Sequence, residues 1–312
     1  MQLVDNTRPF IEAEQYSKFI LTTLEDGLLG ESFYRNVSDF GSGETLHIKS
    51  IGKVTLQEAS EDTPLVYNPI ESGEVTMQLT DYVGDAWYIT DDLREDGAQV
   101  EALAAARSVE STRAIQENFE SRFLETCNAA QTDSDPNTIN GFPHRLSSAE
   151  TDNVFALGHL VAMKLSFNKA NVPAAGRVFI CDSVVDATLS NLVQITHDVS
   201  PFGQKIIEDG LATGQEFRMR LHGFDIITSN RLPTGTFSDG TTSVSNAVAN
   251  IAMCILDDQT KPIMAAWRRM PKVEGERNKD FARDEYVVRA RWGFGAQRVD
   301  TLGVIITSAV NY

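Results

Sequence analysis

Five histidines, three cysteines and two aspartate pairs are the side chains in this 312-residue sequence that could serve a metal or a nucleophile. His47, His144, His159, His197 and His222 match no metal-ligand spacing, and none has an evident nucleophile partner. His159 falls on the apolar side of a helical stretch and reads as a core-edge residue. Cys127, Cys181 and Cys254 are odd in number, far apart and set among apolar residues. They are expected to be buried free thiols in a reducing cytoplasm. Asp91–Asp92 and Asp257–Asp258 have the chemistry for a hard cation, but the first pair is better explained as a helix start. Gly41-Ser-Gly43 and Gly293-Phe-Gly295 read as turns rather than phosphate cradles. Asn36-Val-Ser38 fits a glycosylation sequon without a signal peptide to give it a secretory route. There is no G-x-S-x-G, Walker A or H-E-x-x-H sequence. No cofactor or metal is expected, and an enzyme is the weaker reading.

The elements that would have to position any such residue are more informative. Thr90 to Gln131 contains no proline and reads as one helix, and residues 92 to 130 would span ~58 Å at 1.5 Å per residue. Thr90 or Asp91 can cap it, Asp92 to Glu95 has capping-box spacing, and the early acids suit the helix dipole. Val100, Leu103 and Ala104 form one apolar patch, and Ile115, Phe119 and Phe123 form another. Only small residues, Ser108, Ser111 and Thr112, lie between them. Arg107–Glu110, Arg113–Glu117 and Arg122–Glu125 have the spacing of helical ion pairs worth about 0.2–0.5 kcal/mol each. No sustained heptad supports a dimeric coiled coil.

Composition is that of an ordinary soluble protein, and no apolar run approaches the length needed to span a bilayer. The net charge of −17 is uneven: residues 1 to 150 hold 27 acidic and 10 basic side chains, whereas 151 to 312 hold 17 of each. That imbalance disfavours sequence-specific nucleic-acid binding, which depends on neutralising phosphates. It is compatible with simple solubility or with repulsion of a nearby polyanion.

Residues 1 to 45 scatter apolar positions and read as an arm that packs on something else, with a possible helix over 12–29. From Leu46 to Thr90 the pattern is strand and turn. Leu46, Ile48 and Ser50–Ile51 lead to the polar tip 57–63, and Val75, Met77 and Leu79 alternate on the return. This long hairpin has a charged tip and needs a platform. Residues 132 to 150 read as a polar loop, Asp152 to Phe167 as a helix, 177 to 181 as a buried strand, and 183 to 192 as a helix. A strand pair is expected around the His222–Gly223 turn. Residues 234 to 246 read as a flexible loop, 247 to 256 as a strand, and Glu274 to Glu285 as a charged turn. Tyr286, Val288, Ala290 and Trp292 alternate, and Leu302 to Thr307 is a final strand. The class is α+β without serial βαβ units.

This order of parts resembles the major capsid protein of tailed bacteriophages, whose fold encapsulins share. Val75-Thr-Met-Gln-Leu79 followed by Tyr88-Ile-Thr-Asp-Asp-Leu93 is similar to that family's loop strand entering its spine helix. Ala170-Asn-Val-Pro-Ala-Ala-Gly-Arg177, Leu221-His-Gly-Phe-Asp-Ile226 with Thr228-Ser-Asn-Arg-Leu-Pro233, and Tyr286-Val-Val-Arg-Ala-Arg-Trp-Gly-Phe-Gly295 resemble three further phrases in the same order. The resemblance implies an N-terminal arm (1–45), an extended β-hairpin loop (46–85), a peripheral domain (86–176) with spine helix 91–131, an axial domain (177–265), and a return to the peripheral sheet (266–312). It further implies pentamers and hexamers of an icosahedral virion shell around double-stranded DNA, assembled in the bacterial host cytoplasm. Other copies of the chain are the main partners. A portal and a separate scaffolding protein are expected as well, since the sequence starts at the arm. An encapsulin-type compartment is the alternative. The expected intersubunit contacts are Phe10, Phe19, Leu24, Lys53, Glu58, Glu61, Asp62 and Tyr67.

Overall fold

A computed structural model describes residues 29–38, 43, 45–51, 56–58, 72–97, 100–197 and 220–311. After a 3-10 turn at Glu31–Phe33 come strands β1 (Arg35–Asn36), β2 (Thr45–Ile51), β3 (Ser72–Gln78) and β4 (Asp81–Thr90). Helices α1 (Asp91–Asp96) and α2 (Val100–Ala129) follow, then β5 (Arg145–Ser147), α3 (Leu157–Lys169), β6 (Arg177–Cys181) and α4 (Ser183–His197). Strands β7 (Arg220–Leu221), β8 (Phe224–Thr228), β9 (Thr234–Ser238), β10 (Ser243–Cys254), β11 (Ile263–Asn278), β12 (Arg283–Ala296) and β13 (Leu302–Ser308) complete the chain. The α+β class holds.

The described residues form two compact units. One gathers Gly84–Ile115 and Pro271–Arg289, and the other holds the remaining described segments. Strands order as β1-β11-β12-β4 in one sheet and β5-β13-β10-β6-β8-β7 in a larger one, with β9 beside β10. Among the described residues strands β2 and β3 pair only with each other. The larger sheet buries Phe179, Phe224, Ala252 and Ile305 against Leu160, Met163 and Phe167 of α3 and Val185 and Leu189 of α4. Its terminal strand β13, fully buried, lies antiparallel to β10 and parallel to β5.

Several sequence expectations change. The helix is not continuous. Gly97 leaves the helical region with φ −91° and ψ 119°, and its N–H donates to the Leu93 carbonyl to close α1. A Cβ there would meet the Leu93 carbonyl and a Val100 methyl within 2.5 Å, so the position requires glycine. Thr90 is the N-cap, accepting from the Leu93 N–H at 3.4 Å. Residues 234 to 246 form most of a hairpin, β9 with β10, around Asp239–Gly240, where Asp239 accepts from the Thr241 and Thr242 N–H groups. Its small polar composition hid β-branched residues and an Asp-Gly turn. The charged turn at 274–285 shrinks to 279–282, because β11 and β12 run far beyond their apolar positions. The polar loop 132–150 contains β5, and α3 starts only at Leu157, after Asp152 and Asn153 take positive φ.

Candidate assembly surfaces

The hairpin begins as a regular antiparallel ladder, Thr45 opposite Gln78 through Ile51 opposite Ser72. Leu46 faces Met77 and Ile48 faces Val75, so one face is apolar, and that face packs with Met264 and Ala266 of β11. Gly293 and Gly295 mark where the hairpin is seated. They lie inside β12, not in a turn as the sequence suggested. A Cβ on Gly293 would come within 2.1 Å of the Gln78 carbonyl oxygen, and one on Gly295 within 2.8 Å of Met77 Cβ. The glycines allow the backbone leaving β3 to lie directly on β12. Gly293→Val should therefore unseat the hairpin base, at a cost of about 2–3 kcal/mol in unfolding free energy. A lowered denaturant midpoint together with new protease cuts near residues 78–81 would register this.

Beyond the ladder, Leu56 is 91% exposed and Gln57 and Glu58 are exposed. Of the eight proposed contact residues, Glu58 is thus at the surface. Phe10, Phe19, Leu24, Lys53, Glu61, Asp62 and Tyr67 lie outside the described residues.

The second half of α2 is fixed by aromatic packing and by buried charge. Phe119 stacks on Trp267 with ring centroids 4.4 Å apart and meets Tyr34, Trp292 and Phe294 at 4.9–5.6 Å. Ile115, Phe119 and Phe123 are buried as the periodicity predicts. Leu103, assigned to the first patch, is instead exposed, and Arg107 reaches Asp85 at 2.8 Å rather than Glu110. The small-residue stretch lets Ser111 come close enough to donate to Asp85 at 2.6 Å. Arg122–Glu125 forms as expected at 2.8 Å.

Sequence reading missed Glu120, a carboxylate buried on the stripe that continues to Leu124 and Cys127. It accepts from Ser229 Oγ at 3.2 Å and the Leu29 N–H at 3.1 Å, and Arg231 lies 3.8 Å away while also reaching Glu117 at 3.4 Å. Ser229 and Arg231 belong to the Ser-Asn-Arg-Leu-Pro phrase, so that phrase is the clasp on the spine helix. An acidic residue within an apolar helical stripe was the available signal.

Two buried arginines end helices in the same way. Arg145 donates to the Asn128 side chain at 2.9 Å, the Gln131 carbonyl at 3.0 Å and the Ser238 carbonyl at 2.7 Å. The last turn of α2 has no basic residue of its own, so this guanidinium supplies the cation its dipole favours. Arg177 donates to Val172 and Pro173 carbonyls and to the Asn168 side chain at 2.7–2.8 Å, closing α3. With Asn171 and Gly176 at positive φ, it accounts physically for the Asn-Val-Pro-Ala-Ala-Gly-Arg phrase.

In the unit of Gly84–Ile115 and Pro271–Arg289, Arg277 grips Asp91 through two bonds and also reaches Asp284 at 3.2 Å, while Arg94 reaches Asp284 at 2.6 Å. The bond to Arg277 holds the Asp91 carboxyl below its usual range. At the β11–β12 turn the Arg283 guanidinium lies 4.6 Å from the Tyr88 ring and 4.8 Å from the Phe281 ring, and both rings are exposed.

The chemistry-bearing residues are accounted for elsewhere. Cys127, Cys181 and Cys254 are buried and free, and burial pushes the Cys127 and Cys181 thiols up, away from reactivity. Asp91 is taken by Arg277. Asp257 accepts from the Gln259 and Thr260 N–H groups, and Asp258 pairs with Lys261 at 2.8 Å. His47 contacts Glu74 at the surface, and His222 takes φ 50° in the β7–β8 turn. No group of three or more potential metal ligands occurs among the described residues.

The family model described as phage capsid protein matches residues 73–307. The chain belongs to the phage capsid protein family. A capsid chain of the cyanophage P-SCSP1u shares its fold with a TM-score of 0.70 at 16% identity, over 97% of this chain and 94% of that one. A chain of Mycobacterium phage Che8 has a TM-score of 0.67 at 16% identity, over 95% and 97%. The mature capsid of bacteriophage PhiM1 gives 0.66 at 10% identity, over 97% and 93%. No curated protein sequence matches. This capsid protein is a structural component of a virion shell, and the encapsulin-type alternative is not favoured. Among its described residues no helix is long and apolar enough to cross a membrane.

Proposed function

We propose that this capsid protein builds an icosahedral shell of pentamers and hexamers around double-stranded DNA, with each hairpin lying on a neighbouring copy. The observation that carries this reading is the hairpin itself. Among the described residues strands β2 and β3 belong to no larger sheet, and an isolated two-stranded ladder is marginal in water. Seating on β11 and β12 supports its base, and a neighbour would support what lies beyond. Contacts of one surface with a different surface of the next copy close into rings, the geometry that five- and six-fold capsomers need. Phe10, Phe19, Leu24, Lys53, Glu58, Glu61, Asp62 and Tyr67 are the proposed intersubunit residues. The divisions 1–45 arm, 46–85 loop, 86–176 peripheral domain, 177–265 axial domain and 266–312 return remain the working domain scheme. A separate scaffolding protein and a portal would guide assembly in the host cytoplasm. The excess acid in residues 1–150 would keep packaged DNA from being trapped by phosphate attraction.

Limited proteolysis tests the hairpin's role. Residues 56–63 should be cut readily in dissociated chain and resist cutting in assembled particles. Equal cleavage in both states would remove the hairpin from the interface.

A further inference from the structure

Helix α3 has a histidine toward each end: one accepts a hydrogen bond through a nitrogen that must be unprotonated, and the other is a buried ring with one unpartnered nitrogen. At its start the Ala156 N–H donates to His159 Nδ1 at 3.1 Å, and the His159 N–H donates to the Ala156 carbonyl at 3.0 Å. The imidazole thus stands where a capping box places Glu or Gln, and Nδ1 can accept only while unprotonated. A charged ring would lose that bond and set a cation at the positive end of the helix dipole.

Toward the other end, the buried His144 ring stacks on Phe167 with centroids 5.7 Å apart. Its Nδ1 donates to the Asn137 carbonyl at 2.8 Å, while its Nε2 is buried and has no hydrogen-bond partner among the described residues. Protonating Nε2 would create a buried charge whose desolvation the backbone contacts to Asn137 and Phe142 only partly offset. This ring sits at a junction. The His144 carbonyl accepts from the Val304 N–H of β13 at 2.8 Å, and the Pro143 carbonyl accepts from Ser166 Oγ of α3 at 2.8 Å.

We infer that α3 is a pH-sensitive element of the subunit, held by two neutral imidazoles and loosened when both become charged. The groups around them compensate that charge only in part, Asp300 acting on His144 and Glu150 on His159. Glu150 and Asp152 lie on the segment before His159, and Lys164 and Lys169 are on α3 itself. Asp300 faces His144 from the turn Val299–Thr301, the loop 130–143 carries Asp133 and Asp135, and β13 carries no titratable side chain. Arg145 is committed to carbonyls and Asn128, Arg177 lies over the Phe167 ring, and Lys169 lies over the Phe142 ring. No carboxylate bonds either imidazole among the described residues.

Burial outweighs the distant acids and lowers both histidines from their ordinary 6.5. The unfolded chain then binds more protons than the folded one below that value. The stabilisation is complete above about pH 6.5 and is lost as pH falls through the lowered folded values. In a shell, acid would therefore release α3 without any covalent change.

Hydrogen–deuterium exchange on the full-length chain at pD 7.5 and 5.0, corrected for intrinsic rates, tests this. Peptides covering 157–169 should exchange about tenfold faster in acid in the wild type. In the double variant H159Q/H144N they should change less than about twofold, since Gln keeps the cap and Asn keeps the Asn137 bond without titrating. An acid response that is absent in the wild type, or that persists in the double variant, would overturn the inference. Exchange at the histidine C2 positions of the wild type gives a second reading that needs no variant. His144 and His159 should titrate below 6.5, and midpoints at or above it would sink the idea.

Discussion

Arg231→Met should destabilise the chain by about 3–5 kcal/mol, because it strands the Glu120 carboxylate without its cation. Glu120 is 4% exposed, and once the guanidinium is gone the Ser229 hydroxyl and the Leu29 N–H are its remaining partners among the described residues. Two neutral donors do not offset the desolvation of a full charge. The double variant Glu120→Leu with Arg231→Met should regain most of the loss, since a buried pair replaced by apolar groups is close to neutral. Denaturation followed through Trp267 and Trp292, which pack around Phe119 on the same helix, reads both. If the double variant were no better than the single one, the clasp would owe its strength to something other than charge burial.

Arg145→Met should cost about 3 kcal/mol and lower yields of assembled protein. It leaves the Ser238 and Gln131 carbonyls and the Asn128 side chain without their shared donor in a buried site. The end of α2, which has no basic residue in its own last turn, also loses a cation from beside its carbonyls. Arg145→Lys should recover little, because one ammonium cannot reproduce a planar fork that reaches three acceptors in different directions. Thermal unfolding of the three proteins distinguishes these outcomes. A Lys variant as stable as wild type would reduce the role of Arg145 to simple charge.

Local pattern made much of the fold legible. The alternation of Val75, Met77 and Leu79 placed β3, and Ile115, Phe119 and Phe123 fixed the buried face of α2. The Tyr286–Trp292 alternation located β12. These signals are local because burial of one face repeats at the period of the element. What stayed hidden depended on distant chain. Thr90 to Gln131 reads as one helix, and the close approach of the Leu93 carbonyl and the Val100 methyl to Gly97 shows only in the structure. Gly293 and Gly295 looked like a turn because their reason is the backbone after β3, more than two hundred residues earlier in sequence. Leu103 had the right spacing for a core position and is exposed all the same. Arg145, Arg177 and Glu120 carry structural weight through partners that no spacing rule connects. The phrases around Arg177 and Arg231 nevertheless stood out as a resemblance, and the structure gives each one a helix to hold.

This capsid protein is expected to close into shells by self-association. Electron microscopy of the full-length chain, expressed with and without the products of its neighbouring genes, tests it most directly. Closed particles tens of nanometres across, with five- and six-fold capsomers, are the expected result. A chain that stays monomeric under both conditions, with residues 56–63 ordered and protease-resistant on their own, would contradict it.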